Sequence, residues 1–276
     1  MKIKDIIQDC TLGVTVYVNN NTVKDFISYL IYNKTIIEQF PNMVMAINSD
    51  EEDLSFIKKL LDTYVADLDI IFLDQNRGHM FGTMDLDEAV FNLSKKYPQK
   101  YLCKLSQDII IDPEFLNTNI EEADFYFLPG FSLETILRNQ GIEGLKKVFK
   151  DSTQKDFTPQ SNFFILSKKS PNVYGGVEVI NEYYIKFQEI LKTNPKAKCW
   201  EEFHDPKFDC ETFLGRTINQ QNFTYFNLLD EEDFISLWKT VFNYKIGDPS
   251  HKNIMLPCGI SHFHFKDKPI IKLKKS

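Results

Sequence analysis

Residues 69–116, DIIFLDQNRGHMFGTMDLDEAVFNLSKKYPQKYLCKLSQDIIIDPEFL, decide how this chain is read. An apolar run, Asp69–Leu73, ends in the polar turn Gln75-Asn76-Arg77-Gly78-His79. A helical stretch follows, and a second apolar run, Tyr101–Leu105, delivers Ser106-Gln107-Asp108 and then Ile-Ile-Ile-Asp-Pro. Strand, turn, helix and strand in this order make a βαβ unit, the building block of a parallel sheet.

The same alternation continues towards the N-terminus. Leu12–Val18 is β-rich, and Asn19-Asn20-Asn21 breaks it and offers a cap for a helix over Val23–Phe40. Met43–Ile47 is the next strand, ending in Asn48-Ser49-Asp50 before a helix over Asp53–Val65. In a parallel sheet, ligands bind in the crevice outside the carboxyl ends of the strands. The polar residues that end these four runs are therefore expected along one edge. Towards the C-terminus the pattern loosens. Strands are expected at Asp124–Leu128, Asn162–Leu166 and Phe223–Leu228, and helices at Ser132–Lys150, Glu178–Lys192, from near Asp209, and at Glu231–Val241. Gly247–Lys268 reads as irregular, and Gly175-Gly176 as a mobile loop on the acceptor side of any site. With no repeat or low-complexity linker, residues 1–276 are read as one domain.

Composition sets outer limits. A chain of 276 residues buries roughly 75% of its unfolded surface without disulfide staples. Its 24 Phe and 12 Tyr supply core and cleft walls. A net charge of −7 argues against nucleic acid as a partner, because phosphate binding needs a basic field. Five scattered cysteines with no C-x-x-C suit reduced thiols and a cytoplasmic location. No apolar run is long enough for a signal peptide or a transmembrane segment. G-x-S-x-G, H-E-x-x-H, the Walker loop and a strand-following G-x-G-x-x-G are all missing.

In strand order and turn chemistry the chain resembles the GT-A glycosyltransferases over residues 12–118, and again at Asp209–Glu211 and His262–Pro269. The resemblance implies an α/β, GT-A-like, Rossmann-type fold: a mostly parallel central sheet flanked by helices, with an elaborated C-terminal half. Residues 1–120 would bind a nucleotide-sugar, UDP-linked, and residues 121–276 a glycan or glycoconjugate acceptor. These enzymes place Asp-any-Asp at the end of the fourth strand, where Mn²⁺ or Mg²⁺ bridges it to the diphosphate; here Ser106 takes the first place, and Asp108 is the remaining carboxylate. His262 and His264 alternate along an extended segment and would complete the metal shell, with Lys266 and Lys268 offsetting phosphate charge. Asn20, Asp50, Asn76, Arg77 and Gln107 would grip the nucleotide, Asn76-Arg77-Gly78 resembling the Asn-any-Gly turn of the family-2 type. Glu211, or else Asp209, would act as general base in an inverting transfer. Each of these positions also has a structural reading, as a turn, a helix cap or a solvated surface. Ser106 leaves a second function open, a catalytically decayed GT-A-like protein that binds a glycan or a protein partner without turnover.

Overall fold

The computed structural model describes residues 1–18, 22–49, 55–64, 68–129, 142–153, 158–195, 209–236, 254–256, 258–262 and 271–272. Strand β1 (Cys10–Tyr17) is buried on both faces, the condition of a central strand in a parallel sheet. It pairs in parallel with β2 (Asn42–Asn48) on one side and β4 (Tyr101–Ser106) on the other, while β2 pairs in parallel with β3 (Asp69–Phe72). The short strand β5 (Ile109–Ile111) follows β4. Beyond β4 lie β7 (Pro159–Ser167), β6 (Phe125–Pro129) and β8 (Tyr225–Asn227), so the described sheet has seven strands in the order β3-β2-β1-β4-β7-β6-β8. β7 is antiparallel to both its neighbours, and the other six strands share one direction. This is the mostly parallel α/β sheet that the βαβ pattern required, with the antiparallel strand supplied by the C-terminal half.

Helices cover both faces. α1 (Ile3–Ile6) precedes β1; α2 (Val23–Tyr32), α3 (Lys34–Ile37) and α4 (Ser55–Tyr64) follow β1 and β2. α2 and α4 pack with Leu12, Val14, Val16, Cys103 and Leu105 in one core. α5 (Gly78–Ser94) covers the other face with Val44, Ala46 and Leu102. α6 (Ile142–Thr153) contributes Leu145 to the first core, whereas α7 (Val177–Thr193) and α8 (Cys210–Gln220) join α5 in the second. Alternate residues of β2 and β4 divide between the two cores, as a two-residue period demands, while β1 gives its even positions to the first core and turns Gly13 towards the second. α5 approaches β1 closely because Gly13 has no side chain: a Cβ there would lie 2.5 Å from Leu102 Cδ1 and 2.9 Å from Val90 Cγ2.

Two expectations change. The helix read as continuous over Val23–Phe40 divides at Asn33, which is buried. Asn33 Nδ2 donates to the Ile109 carbonyl at 2.9 Å and its Oδ1 accepts from Ile111 N at 2.9 Å, closing the open edge of β5. The tail expected to be irregular carries, in its described part, β9 (Ile254–Met255) and β10 (Ile260–His262), and β11 (Ile271–Lys272) lies beyond it. These form a second sheet, β11-β9-β10-β5. Gly259, at φ +84°, makes the turn into β10, where a Cβ would meet Phe115 N at 2.7 Å. Among the described residues no helix is long and apolar enough to cross a membrane, and Cys10, Cys103, Cys210 and Cys258 are free thiols.

Candidate functional site

The four parallel strands end together. Gln107 N donates to Thr15 O at 3.1 Å, Val18 N to Asn48 O at 3.0 Å and Leu73 N to Ile47 O at 2.9 Å. Beyond these bonds Tyr17, Asn48, Asn76 and Gln107 meet Gly78, Gly82, Thr83 and Leu86 of α5 around a cavity of about 320 Å³. Its polar groups are held by one another. Asn76 Oδ1 accepts from Gly78 N at 3.0 Å and from Asn48 Nδ2 at 3.4 Å, while Asn48 Oδ1 accepts from Ser49 N at 2.8 Å. Gln107 Oε1 accepts from Tyr17 N at 2.7 Å. The lining is thus three carboxamides, a tyrosine, a threonine, a leucine and two glycines, neutral throughout, at the positive end of the α5 dipole. Such a surface suits a ligand with many hydrogen-bonding groups and no charge of its own at that point, a nucleoside or a sugar ring.

Of the residues expected to grip a nucleotide, Asn76 and Gln107 line this cavity. Asn20 and Asp50 follow the ends of β1 and β2 but lie outside the described residues, as do His264, Lys266 and Lys268. Arg77 is committed elsewhere. Its Nε donates to Asp85 Oδ2 at 2.6 Å and its second nitrogen to Asp85 Oδ1, a two-pronged pair with side chains only 9% and 14% exposed. Nη1 donates to Asn181 Oδ1 at 2.7 Å, and the guanidinium stacks 4.8 Å from the centre of the Tyr184 ring. In this arrangement Arg77 joins α5 to α7.

Asp108 stands in the β4–β5 turn with Oδ1 shielded from solvent. Its charge reaches Tyr29 of α2, whose hydroxyl is pushed well up, first by burial and then by that carboxylate. β10 pairs antiparallel with β5 and sets His262 opposite Ile109, one residue from Asp108, so two of the expected metal ligands are neighbours along the backbone. Among the described residues, no three of His, Cys, Asp and Glu gather at one point. Position 106 does not fit a bound dication, because the Lys104 ammonium already stands 2.8 Å from Ser106 Oγ.

Lys104 opens a network that crosses the second core. Its side chain and that of Asp87 on α5 are both wholly buried, with Nζ 3.1 Å from Asp87 Oδ1. Asp87 Oδ2 accepts from the Tyr174 hydroxyl at 2.6 Å. Burial raises the Asp87 carboxyl, and Lys104 and Tyr174 hold it back. Nζ also donates to the Ser161 carbonyl on β7. Ser161 joins Lys104 to α8: its hydroxyl accepts from Cys210 Sγ at 3.3 Å and its N–H bonds the Glu211 carboxyl. Glu211, which keeps part of its surface exposed, is raised to about 8 by burial and next by the Asp209 charge, with Ser161 and Lys104 opposing. Asp209 caps α8, accepting from Glu211 N at 3.2 Å and from Thr212 Oγ1 at 3.4 Å. The second acidic cluster is thereby brought to the end of β4 through two intermediaries that sequence reasoning missed. Their signal was present: a lysine inside the apolar run YLCKLS needs a buried partner.

The Gly175-Gly176 segment is tethered, contrary to the mobile loop expected. Glu88 Oε1 accepts from Val173 N, Tyr174 N and Gly176 N at 3.0, 2.7 and 3.2 Å, and Asn172 Oδ1 accepts from Gly175 N at 2.9 Å.

Neither a protein-family model nor a curated protein matches the chain. Solved structures similar to it include galactosyltransferase LgtC in complex with donor and acceptor sugar analogues, at 9% identity and a TM-score of 0.43 over 94% of this chain and 88% of that one. Inositol-1-phosphate CTP transferase from T. maritima is similar at 10% identity and a TM-score of 0.39, over 81% and 86%. At such scores neither likeness bears on what this chain does.

Proposed function

We propose that the chain is a glycosyltransferase that takes a sugar from a nucleoside diphosphate, UDP-linked, and delivers it to a hydroxyl of a glycan or glycoconjugate. One observation carries this reading. The carboxyl end of β4 borders a neutral cavity of nucleoside size through Gln107, and connects to a carboxyl with a raised pKa through Ser106, Lys104, Ser161 and Glu211.

The cavity holds the nucleoside by hydrogen bonds from Asn48, Asn76 and Gln107. Glu211 takes the proton of the acceptor hydroxyl while that oxygen bonds to the anomeric carbon and the bond to the diphosphate oxygen breaks. A carboxyl whose pKa lies near 8 is a stronger base than an ordinary glutamate once ionised. Mn²⁺ or Mg²⁺, if bound, would draw on Asp108 and the late histidines rather than on position 106.

Calorimetric titration with UDP, in EDTA and then in Mn²⁺, tests the donor site. Micromolar binding followed by UDP release from a UDP-sugar in the presence of an acceptor is the expected outcome; absence of UDP binding under both conditions refutes it. Ser106 itself favours the second reading, a GT-A-like binder without turnover. UDP binding with no release from any UDP-sugar would select that one.

A further inference from the structure

The lysine beneath position 106 determines what that position can do. A lysine ammonium has three N–H donors and no acceptor. Those of Lys104 reach the Ser161 carbonyl and Ser106 Oγ at 2.8 Å, while the ammonium pairs with the Asp87 charge, 3.1 Å from Oδ1. Ser106 must therefore accept in this contact, and its own proton is turned elsewhere. Among the described residues its hydroxyl makes no other side-chain hydrogen bond. Ser106 is half-buried at the carboxyl end of β4, next to Gln107 of the cavity wall.

We propose that Ser106 is a ligand-binding hydrogen-bond donor, oriented by the buried Lys104, that presents its proton to a phosphoryl oxygen of a nucleoside diphosphate. The nature of the ligand rests on the function proposed above; the polarity of Ser106 rests on geometry alone. Asp87 neutralises Lys104 at 3.1 Å, so what the lysine offers through position 106 is a polarised hydroxyl rather than a bare cation. The device answers a chemical need that a carboxylate at this place would meet by way of a metal ion, since both offset negative charge on the diphosphate. It also predicts that an aspartate introduced here pairs with Lys104 instead of binding a cation.

Two titrations test this. UDP is titrated calorimetrically in EDTA into the wild type, Ser106→Ala and Ser106→Thr. A hydrogen bond to a charged acceptor is worth enough that Ser106→Ala should weaken UDP about tenfold to a hundredfold, and Ser106→Thr, which keeps the hydroxyl, should recover most of that loss. Equal affinity in the wild type and Ser106→Ala overturns the proposal. Mn²⁺ is then titrated into ligand-free wild type and Ser106→Asp, with bound Mn²⁺ read by electron paramagnetic resonance. Unchanged Mn²⁺ affinity in Ser106→Asp supports capture of the new carboxylate by Lys104; a gain of tenfold or so in Mn²⁺ affinity overturns it. If the wild type binds no UDP, the glycosyltransferase reading itself fails; UDP binding that Ser106→Ala leaves unchanged overturns only the role of Ser106.

Discussion

Replacing Lys104 by Met removes the cation of a wholly buried pair while keeping most of the volume of the side chain. In the wild type, Asp87 Oδ1 lies 3.1 Å from the ammonium and Oδ2 accepts from Tyr174 at 2.6 Å, with neither charged side chain exposed to water. Losing one partner of such a pair costs about 3–5 kcal/mol, because the other charge stays buried without compensation. That is a large share of a total stability of roughly 5–15 kcal/mol. Asp87 has one escape, which is to take up a proton. Its carboxyl is already raised from 3.8 by burial, and loss of the Lys104 charge raises it further. In the window between its wild-type and variant pKa values, the folded variant holds a proton that the unfolded chain has released. The variant therefore recovers stability as the pH falls through that window, by about 1.4 kcal/mol for each pH unit. Urea unfolding of wild type and Lys104→Met at pH 8 and pH 5 measures both effects, and Lys104→Met/Asp87→Asn should regain most of the loss at pH 8. A loss under about 1 kcal/mol, or one of equal size at both pH values, would refute the claim that a buried charge pair underlies this network.

Glu211 gives a second pH signature. Its folded pKa, about 8 against an ordinary 4.5, means that the folded chain keeps a proton the unfolded chain has lost, so its contribution falls as the pH rises from 4.5 to 8. The ceiling is about 5 kcal/mol, lowered by the part of the residue that meets water, and Glu211→Gln should flatten the unfolding profile across that range. If UDP-sugar turnover is found, the rate should climb as the pH approaches 8, and Glu211→Gln should lower kcat by about 10²–10⁴; a variant of undiminished kcat would exclude Glu211 as base. Arg77→Lys should cost about 2 kcal/mol in urea unfolding, since one ammonium cannot reproduce the two-pronged contact with Asp85 or the stacking on Tyr184. A loss of UDP affinity in that variant without loss of stability would return Arg77 to the phosphate site.

Local pattern in the chain was enough for the strands β1 to β4, for α4 and α5 between them and for the edge where their ends converge. Asn76 and Gln107 were legible for the same reason: turn residues after parallel strands have one place to be. The cap at Asp209 was legible from its place before a helical run. Asn33 was not, because the pattern of an amphipathic helix continues through it, and its role depends on carbonyl and amide groups of β5 that lie 76 and 78 residues away. The second sheet escaped notice because strands of two or three residues are too short to show alternation.

The strands β1–β4, their shared direction and the residue types at their ends follow from side-chain period and turn chemistry, which are legible along the chain. Tertiary structure alone decided the direction of Arg77, the antiparallel insertion of β7, and the chain of contacts from Ser106 through Lys104 and Ser161 to Glu211. The charge state of a buried carboxyl and the donor or acceptor sense of a hydroxyl depend on which groups lie within about 3 Å, and those groups come from elements that meet only when the sheet is assembled.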